Sequence, residues 1–256
     1  MNNDAVNNEQ IKVKSFQHPK PNAKYPTPLK TIGLIGGMSW QSTIEYYRII
    51  NNVVNRRTKG KHAAKIIIDS VDFGEVEVLI SNQDFAGLTG LLVNSAQKLE
   101  KAGAELLMIG ANTMHFAAEQ VQDSISIPLI NIVDATIQAI QAKSLTKVGL
   151  LGTKFTMEQD FFKKRLIAND IDVNVPGAED REFIHQTIFK ELFNAHINPE
   201  SKKRFLSIMD GLAGEGAQGI ILGCTEIPLL IKQEDTALPV FDTTEIHALA
   251  AVELAF

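Results

Sequence analysis

Cys224 is the only cysteine in the 256 residues, and it stands in "ILGCTEIP" (221–228), where an apolar run reaches a glycine and opens into Cys, Thr and Glu. A thiol at such a place suits proton abstraction from carbon, provided it is ionised. The helix expected to begin near Glu226 would offer free backbone N–H groups and partial positive charge, which lower a thiol pKa. The ordinary role of a lone cysteine is that of a small buried hydrophobe. Gly223 and Thr225 beside Cys224 favour chemistry instead. A second stretch, "MIGANTMH" (108–115), has the same build, but Ala111 follows its glycine, with Asn112 and Thr113 next. A methyl group neither donates nor accepts a proton, so a site built from both stretches has a thiol on one side only.

The two stretches belong to a longer repeat. "GLIGG" (33–37) is echoed by "GLLGT" (149–153), "GAELLMIGA" (103–111) by "GAQGIILGC" (216–224), and "IPLI" (127–130) by "LPVF" (238–241). Three matches in one order imply two related halves. Each half alternates short apolar runs with helical sequence, the pattern of parallel sheets covered on both faces. The fold class is therefore α/β: two similar halves with parallel sheets, related by a pseudo-two-fold axis. Ligands of such sheets bind beyond the carboxyl ends of the strands, which places Ala111 and Cys224 on opposite walls of a shared cleft. Gly36, Gly37, Met38 and Ser39 end the first strand, and Gly152 and Thr153 take the equivalent place in the second half.

Strands are expected at 30–37, 63–72, 104–110, 127–133, 146–153, 172–175, 217–223 and 238–242. The helix after the first strand has Ser39 as its N-cap and an apolar face of Ile44, Tyr47, Ile50 and Val54. A single helix is expected over 156–170, two more between Asp180 and Glu215, and a closing amphipathic helix at the C-terminus. The domain organisation read from this is an N-terminal extension over 1–30, a first half formed by 31–134 with 236–256, and a second half over 135–235. Four prolines between Pro19 and Pro28 mark residues 1–30 as a flexible or extended tail without the apolar core of a signal peptide.

Bulk composition sets limits. Hydrophobic residues are 45% and charged residues 21%, as in soluble globular proteins. The net charge of −5 provides no field to collect phosphates, which speaks against nucleic acid as a partner. No apolar run nears the roughly 20 residues needed to span a membrane. A single cysteine without CxxC or Cys/His clusters fits a reducing, cytoplasmic setting and no zinc site.

Over residues 31–256 the chain resembles the aspartate/glutamate racemase family of cofactor-independent amino-acid racemases, through "IGLIGGMSWQSTIEYYRIIN", "GANTMH", "LLGTKFTMEQDFF", "GCTEIPLL" and "LPVFDTTEIHALAAVELA". The branch typified by bacterial aspartate/glutamate-specific racemases is the nearest in pattern. The resemblance implies two α/β halves with the site between them, a homodimer, a small amino-acid or dicarboxylate substrate, and two-base racemisation with neither pyridoxal phosphate nor metal. One cysteine removes the α-proton and another, on the opposite face, returns one. Cys224 matches the second-half cysteine, while the first-half cysteine falls on Ala111. Asn112, Thr113 and Thr225 match substrate-carboxylate contacts, Met38 and Ser39 a substrate-binding loop, and Glu226 a group that binds substrate or orients the thiol.

Three activities fit this pattern: a slow or one-directional racemase in which Thr113 or water serves the second face, a single-thiol decarboxylase of malonate-like acids, and a non-catalytic binder. Each site residue has an ordinary structural role as well. Asn and Thr suit turns, Ser39 suits a cap, and His115 and His247 suit structural hydrogen bonds more than proton relay. Arg181 and Lys164 are candidates for a distal substrate carboxylate. A lysine that some relatives place near 182–183 is replaced here by Glu182 and Phe183.

Overall fold

A computed structural model describes residues 29–256. The extension expected over 1–30 lies outside the described residues except for its last two, of which Lys30 donates its backbone N–H to Ala255 O (3.0 Å). Two four-stranded parallel sheets form the frame. The first is ordered β2-β1-β3-β4, from β1 (Ile32–Gly36), β2 (Ile66–Ser70), β3 (Leu106–Ile109) and β4 (Leu129–Ile130). The second is ordered β6-β5-β7-β8, from β5 (Lys147–Gly152), β6 (Asp172–Asn174), β7 (Ile220–Gly223) and β8 (Val240–Asp242). The repeated sequences thus become β1 and β5, β3 and β7, β4 and β8, at the same positions of two like-ordered sheets.

The strands are apolar on both faces because both faces are covered. In the first half Ile35, Leu107 and Ile109 face α3 (Phe85–Lys101), with Leu88, Leu92 and Leu99. Ile32, Leu34, Leu106 and Met108 face the other way, toward α1 (Trp40–Arg57) and α11 (Thr243–Ala255). In the second half α5 (Ile132–Ala142), α7 (Asp160–Ile167), α8 (Ala178–Lys190) and α9 (Pro199–Gly214) share one core with β5 and β7. β8 hydrogen-bonds to β7, so residues 240–242 stand in the second sheet. Of the segment 236–256 that the sequence assigned to the first half, only α11 packs there, between α1 and α5.

Three local expectations are corrected. The buried face of α1 is Ser42, Tyr46, Ile50, Val53 and Val54, whereas Ile44 and Tyr47 are exposed. The helix is turned because two polar side chains, Ser42 and Tyr46, point inward to hydrogen-bond partners. The strand expected over 127–133 ends at Ile130, where Asn131 Oδ1 accepts from Val133 N and caps α5. The single helix expected over 156–170 is broken at Gln159, whose extended ψ of 156° separates α6 (Lys154–Glu158) from α7.

Gly37, where β1 passes toward α1, has φ +90°, and a Cβ there would lie 2.1 Å from Val71 O. Gly60 also has positive φ, +80°, but open space around it. Gly37→Ala is expected to cost at least about 3 kcal/mol, from clash as well as backbone strain, against about 1 kcal/mol for Gly60→Ala. Urea unfolding of the two variants measures the difference, and equal losses would contradict it.

Candidate active site

Cys224 lies just past β7, 8% exposed, and its Sγ–H donates to Glu226 Oε2 at 3.0 Å. Glu226 is itself 4% exposed and fully hydrogen-bonded by neutral groups. Thr225 Oγ1 donates to Oε2 (2.7 Å), and Ser39 and Ser42 donate to Oε1 (2.8 and 2.9 Å). Ser42 Oγ also lies 2.5 Å from Thr225 Oγ1 and 2.9 Å from Ser39 Oγ. Ser39 and Ser42 begin α1 of the first half and Thr225 and Glu226 follow β7 of the second, so this ring joins the halves. Ser39 is at once the expected cap, accepting from Ser42 N, and a donor to the site.

At the other half's strand end the same construction recurs with different residues. Aligned on the glycines that end β3 and β7, Ala111 answers to Cys224, Asn112 to Thr225 and Thr113 to Glu226. Thr153 caps α6 by accepting from Thr156 N, as Ser39 caps α1 by accepting from Ser42 N. Thr113 Oγ1 lies 3.5 Å from Thr153 Oγ1 and 3.4 Å from Thr156 Oγ1. Each half therefore reaches over, two residues beyond the thiol or methyl position, to the two hydroxyls that open the other half's first helix. On one side the reaching group is a carboxylate, on the other a hydroxyl.

Asn112 Nδ2 donates to Thr243 Oγ1 (2.9 Å), which donates to Leu222 O on β7 (2.8 Å), while Asn112 Oδ1 is buried without a partner. Met38 is buried in the first-half core, where half-buried Ala111 also packs. The sequence left Ser42, Thr156 and Thr243 unnoticed. Position three after a cap was the available signal for Ser42 and Thr156; Thr243 had none, since only the fold carries α11 back across the cleft.

The thiol is not activated as expected. Burial, then the charge of Glu226, then the hydrogen bond given to Glu226 push its pKa well above the ordinary value, and the backbone N–H groups of Thr225 and Glu226 oppose this without prevailing. The helix after Glu226, α10 (Ile227–Leu230), has only four residues, too short to supply a counteracting dipole.

The two motif histidines are structural. His115 donates from Nδ1 to Ala111 O (2.9 Å) and accepts at Nε2 from Ile132 N (3.2 Å). His247 donates from Nε2 to Ile130 O (2.8 Å) and accepts at Nδ1 from Tyr46 OH (2.9 Å). Both rings are neutral: burial lowers the pKa of His115 to about 4, and burial, then the neighbouring His115, lowers that of His247 to about 3. The cations weighed for a distal carboxylate are engaged elsewhere. Lys164, largely exposed, pairs with Asp160 (3.1 Å), and Arg181 bonds Glu158 (3.0 Å) and Pro176 O (2.7 Å). Glu182 pairs with Lys154 (2.9 Å), the residue next to Thr153. Among the described residues no cluster of side chains suited to a metal ion occurs, and no helix is long and apolar enough to cross a membrane.

A profile of the Asp/Glu/Hydantoin racemase family matches residues 35–251. The chain belongs to this family. A protein from Yersinia pestis, described as a candidate Asp/Glu racemase, has a crystal structure 45% identical in sequence with a TM-score of 0.84, covering 89% of this chain and 99% of that one. An aspartate racemase homologue from Pyrococcus horikoshii is 37% identical at a TM-score of 0.79, with the same coverage. The broad specificity amino-acid racemase RacX of Bacillus subtilis is 26% identical over 168 residues, covering 63% of this chain and 69% of RacX. This racemase-family chain is thus an isomerase by family, and the resemblance read from its motifs holds over its described length.

The neutral histidines make a prediction about stability. In the unfolded chain each takes a proton near pH 6.5, whereas in the fold each stays neutral until about pH 4 or 3. The unfolded state therefore binds protons first, and stability falls as pH drops from about 6.5 toward 4, by on the order of a few kcal/mol. Urea midpoints between pH 7 and 4.5 measure this, and His247→Gln is expected to flatten the slope.

Proposed function

We propose that the protein racemises α-amino acids without pyridoxal phosphate or metal, with Cys224 as the acid/base on one face of the α-carbon and a hydroxyl or water on the other. The observation that supports this reading is that Cys224, Asn112 and Thr113 follow equivalent strands and each belongs to a set of hydrogen bonds that ties the two halves together. The unfilled Oδ1 of Asn112 supplies an acceptor for the substrate's α-ammonium. The hydroxyls of Thr113 and Thr153, with only long contacts to each other, are donors for its α-carboxylate. Both Glu226 oxygens and the Thr225 hydroxyl are taken up inside the protein, so these two groups serve the thiol more than the substrate.

The cations weighed for an acidic substrate side chain are held in the pairs Arg181–Glu158 and Lys164–Asp160, and Lys154, next to Thr153, is held by Glu182. No acidic side chain is demanded by this arrangement, and the broad specificity of RacX agrees with that breadth. A missing acid or base typically costs a factor of about 10²–10⁴ in rate, so inversion is slow in both directions, and exchange of the α-hydrogen without inversion is faster for the enantiomer whose α-hydrogen faces Cys224.

The test is exchange of the α-hydrogen in deuterated buffer, followed by proton NMR for both enantiomers of acidic and neutral amino acids. Cys224→Ala is expected to abolish exchange, and Ala111→Cys to speed inversion by about 10²–10⁴-fold. Exchange that survives in Cys224→Ala would refute the assignment. Carbon dioxide release from a disubstituted malonate without amino-acid exchange would replace it by the decarboxylase reading.

A further inference from the structure

We propose that the amino acids accepted by this protein carry apolar side chains, aromatic or long aliphatic, and that Phe155 selects them. This rests on the reading of the protein as an amino-acid racemase and names the substrate class of that same site. That reading gives the α-hydrogen to Cys224, the α-ammonium to Asn112 and the α-carboxylate to Thr113 and Thr153. One bond of the α-carbon is left, and the side chain on it leaves past whatever flanks these groups. Phenylalanines flank them in both halves. The short helical turn Thr113–Ala117 carries Thr113 and Phe116, and α6 carries Phe155 between its cap Thr153 and Thr156. The contacts of Thr113 with Thr153 and Thr156 therefore run beside a ring contact, the centroids of Phe116 and Phe155 being 5.9 Å apart. Phe85, which begins α3, stands 5.6 Å from each of those rings. Counted from the two caps, Phe155 answers to Gln41. Both reach into the other half, Gln41 Nε2 donating to Phe193 O at 3.2 Å, but only Phe155 brings an apolar surface.

Charge and exposure point the same way. Lys154, beside Phe155, is held by Glu182 at 2.9 Å, and Gln186 donates to the same carboxylate at 2.7 Å. His185 accepts from Lys154 N at 3.4 Å, and burial lowers its pKa, so the ring is neutral at pH 7. Among the described residues, arginines lie over Phe183 and Phe256 and none over these rings. The face of a phenyl ring is the negative side of its quadrupole. A substrate carboxylate would meet no free cation on this flank, whereas an apolar side chain gains by leaving water for the rings. Phe85 remains 42% exposed in spite of its two ring contacts. Rings that serve packing alone are closed off, as Phe162 and Phe205 are. Apolar surface left open at the junction of the halves is surface that a ligand can cover.

The experiment measures α-hydrogen exchange and calorimetric binding side by side, for both enantiomers of phenylalanine, leucine, alanine and aspartate. Wild-type kcat/KM is expected to favour phenylalanine and leucine over alanine and aspartate by about tenfold or more. Phe155→Ala is expected to remove that preference and leave alanine within about twofold of its wild-type rate, because only the longer side chains reach the ring. Phe155→Leu, which keeps an apolar group there, is expected to retain the order. A fall by one common factor for every substrate in Phe155→Ala would mark a purely structural ring and overturn the proposal. So would aspartate or alanine as the best wild-type substrate, an outcome that decides the matter even if Phe155→Ala fails to fold. Binding in the expected order without exchange of any amino acid retains the side-chain preference and removes the racemase reading. Neither binding nor exchange of any of the four overturns both.

Discussion

A carboxylate buried without a cation is the constraint around which the site is arranged. An isolated charge in a protein interior is prohibitively costly, and only direct hydrogen bonds make it tolerable. Glu226 receives four, from side chains that no single half of the molecule contains. Ser39 and Ser42 must come from the start of α1, and α1 must therefore enter the cleft at a fixed angle. That entry depends on Gly37, whose backbone conformation and close approach to Val71 leave no room for a side chain. The inward turn of Ser42 draws Tyr46 inward one turn later, where its hydroxyl meets His247 of α11. α11 in turn delivers Thr243 to Asn112 and β7. One polar requirement thus accounts for the rotation of α1 and for the crossing of the C-terminal helix over both halves.

The sheets were legible in the sequence because their strands are near-continuous apolar runs ending in glycine, and the repeat paired them correctly. Less legible was whatever depended on a polar residue pointing inward. Ile44 and Tyr47 look like a core face by spacing, yet Ser42 and Tyr46 are buried in their place, since a hydrogen bond to a buried partner outweighs apolar periodicity here. Asn131 ended a strand that β-branched residues would have continued, because its side chain caps the next helix. The repeat accounts for Ala111 and Cys224 each standing just past an equivalent strand, while Asn112 and Thr113 were singled out through the family motif. The state of the thiol did not follow, because a short helix after a strand says nothing of the carboxylate folded back on the sulfur.

The histidines show why a residue type at a matched position does not disclose its role. His115 and His247 sit beside the chemistry, but each uses both ring nitrogens to hold main chain or Tyr46. His115 fixes the carbonyl of Ala111 whatever side chain residue 111 bears. The backbone of the first wall is thus maintained independently of the group that would act from it. Ala111 packs against the same core as Met38.

The two strand-end constructions are alike in backbone and different in side chains, and the difference is coherent. On one side a thiol, a carboxylate, two serines and a threonine form a short-bonded ring. On the other, a methyl and three threonine hydroxyls stand at 3.1–3.5 Å, with no group that titrates near neutral pH. On the proposed mechanism, a carbanion formed by Cys224 would meet, on its far side, only hydroxyls or water, which are weak acids and weaker bases. They can donate to a carbanion far more readily than they can remove a proton from carbon. The overall equilibrium between enantiomers is fixed by the substrate, so the reverse reaction must cross the same barrier, and the missing thiol slows both directions together at equilibrium. What the single thiol changes is the fate of the intermediate. On the proposed mechanism, return of the proton from Cys224 would outpace protonation from the hydroxyl side, and exchange with retention would exceed inversion.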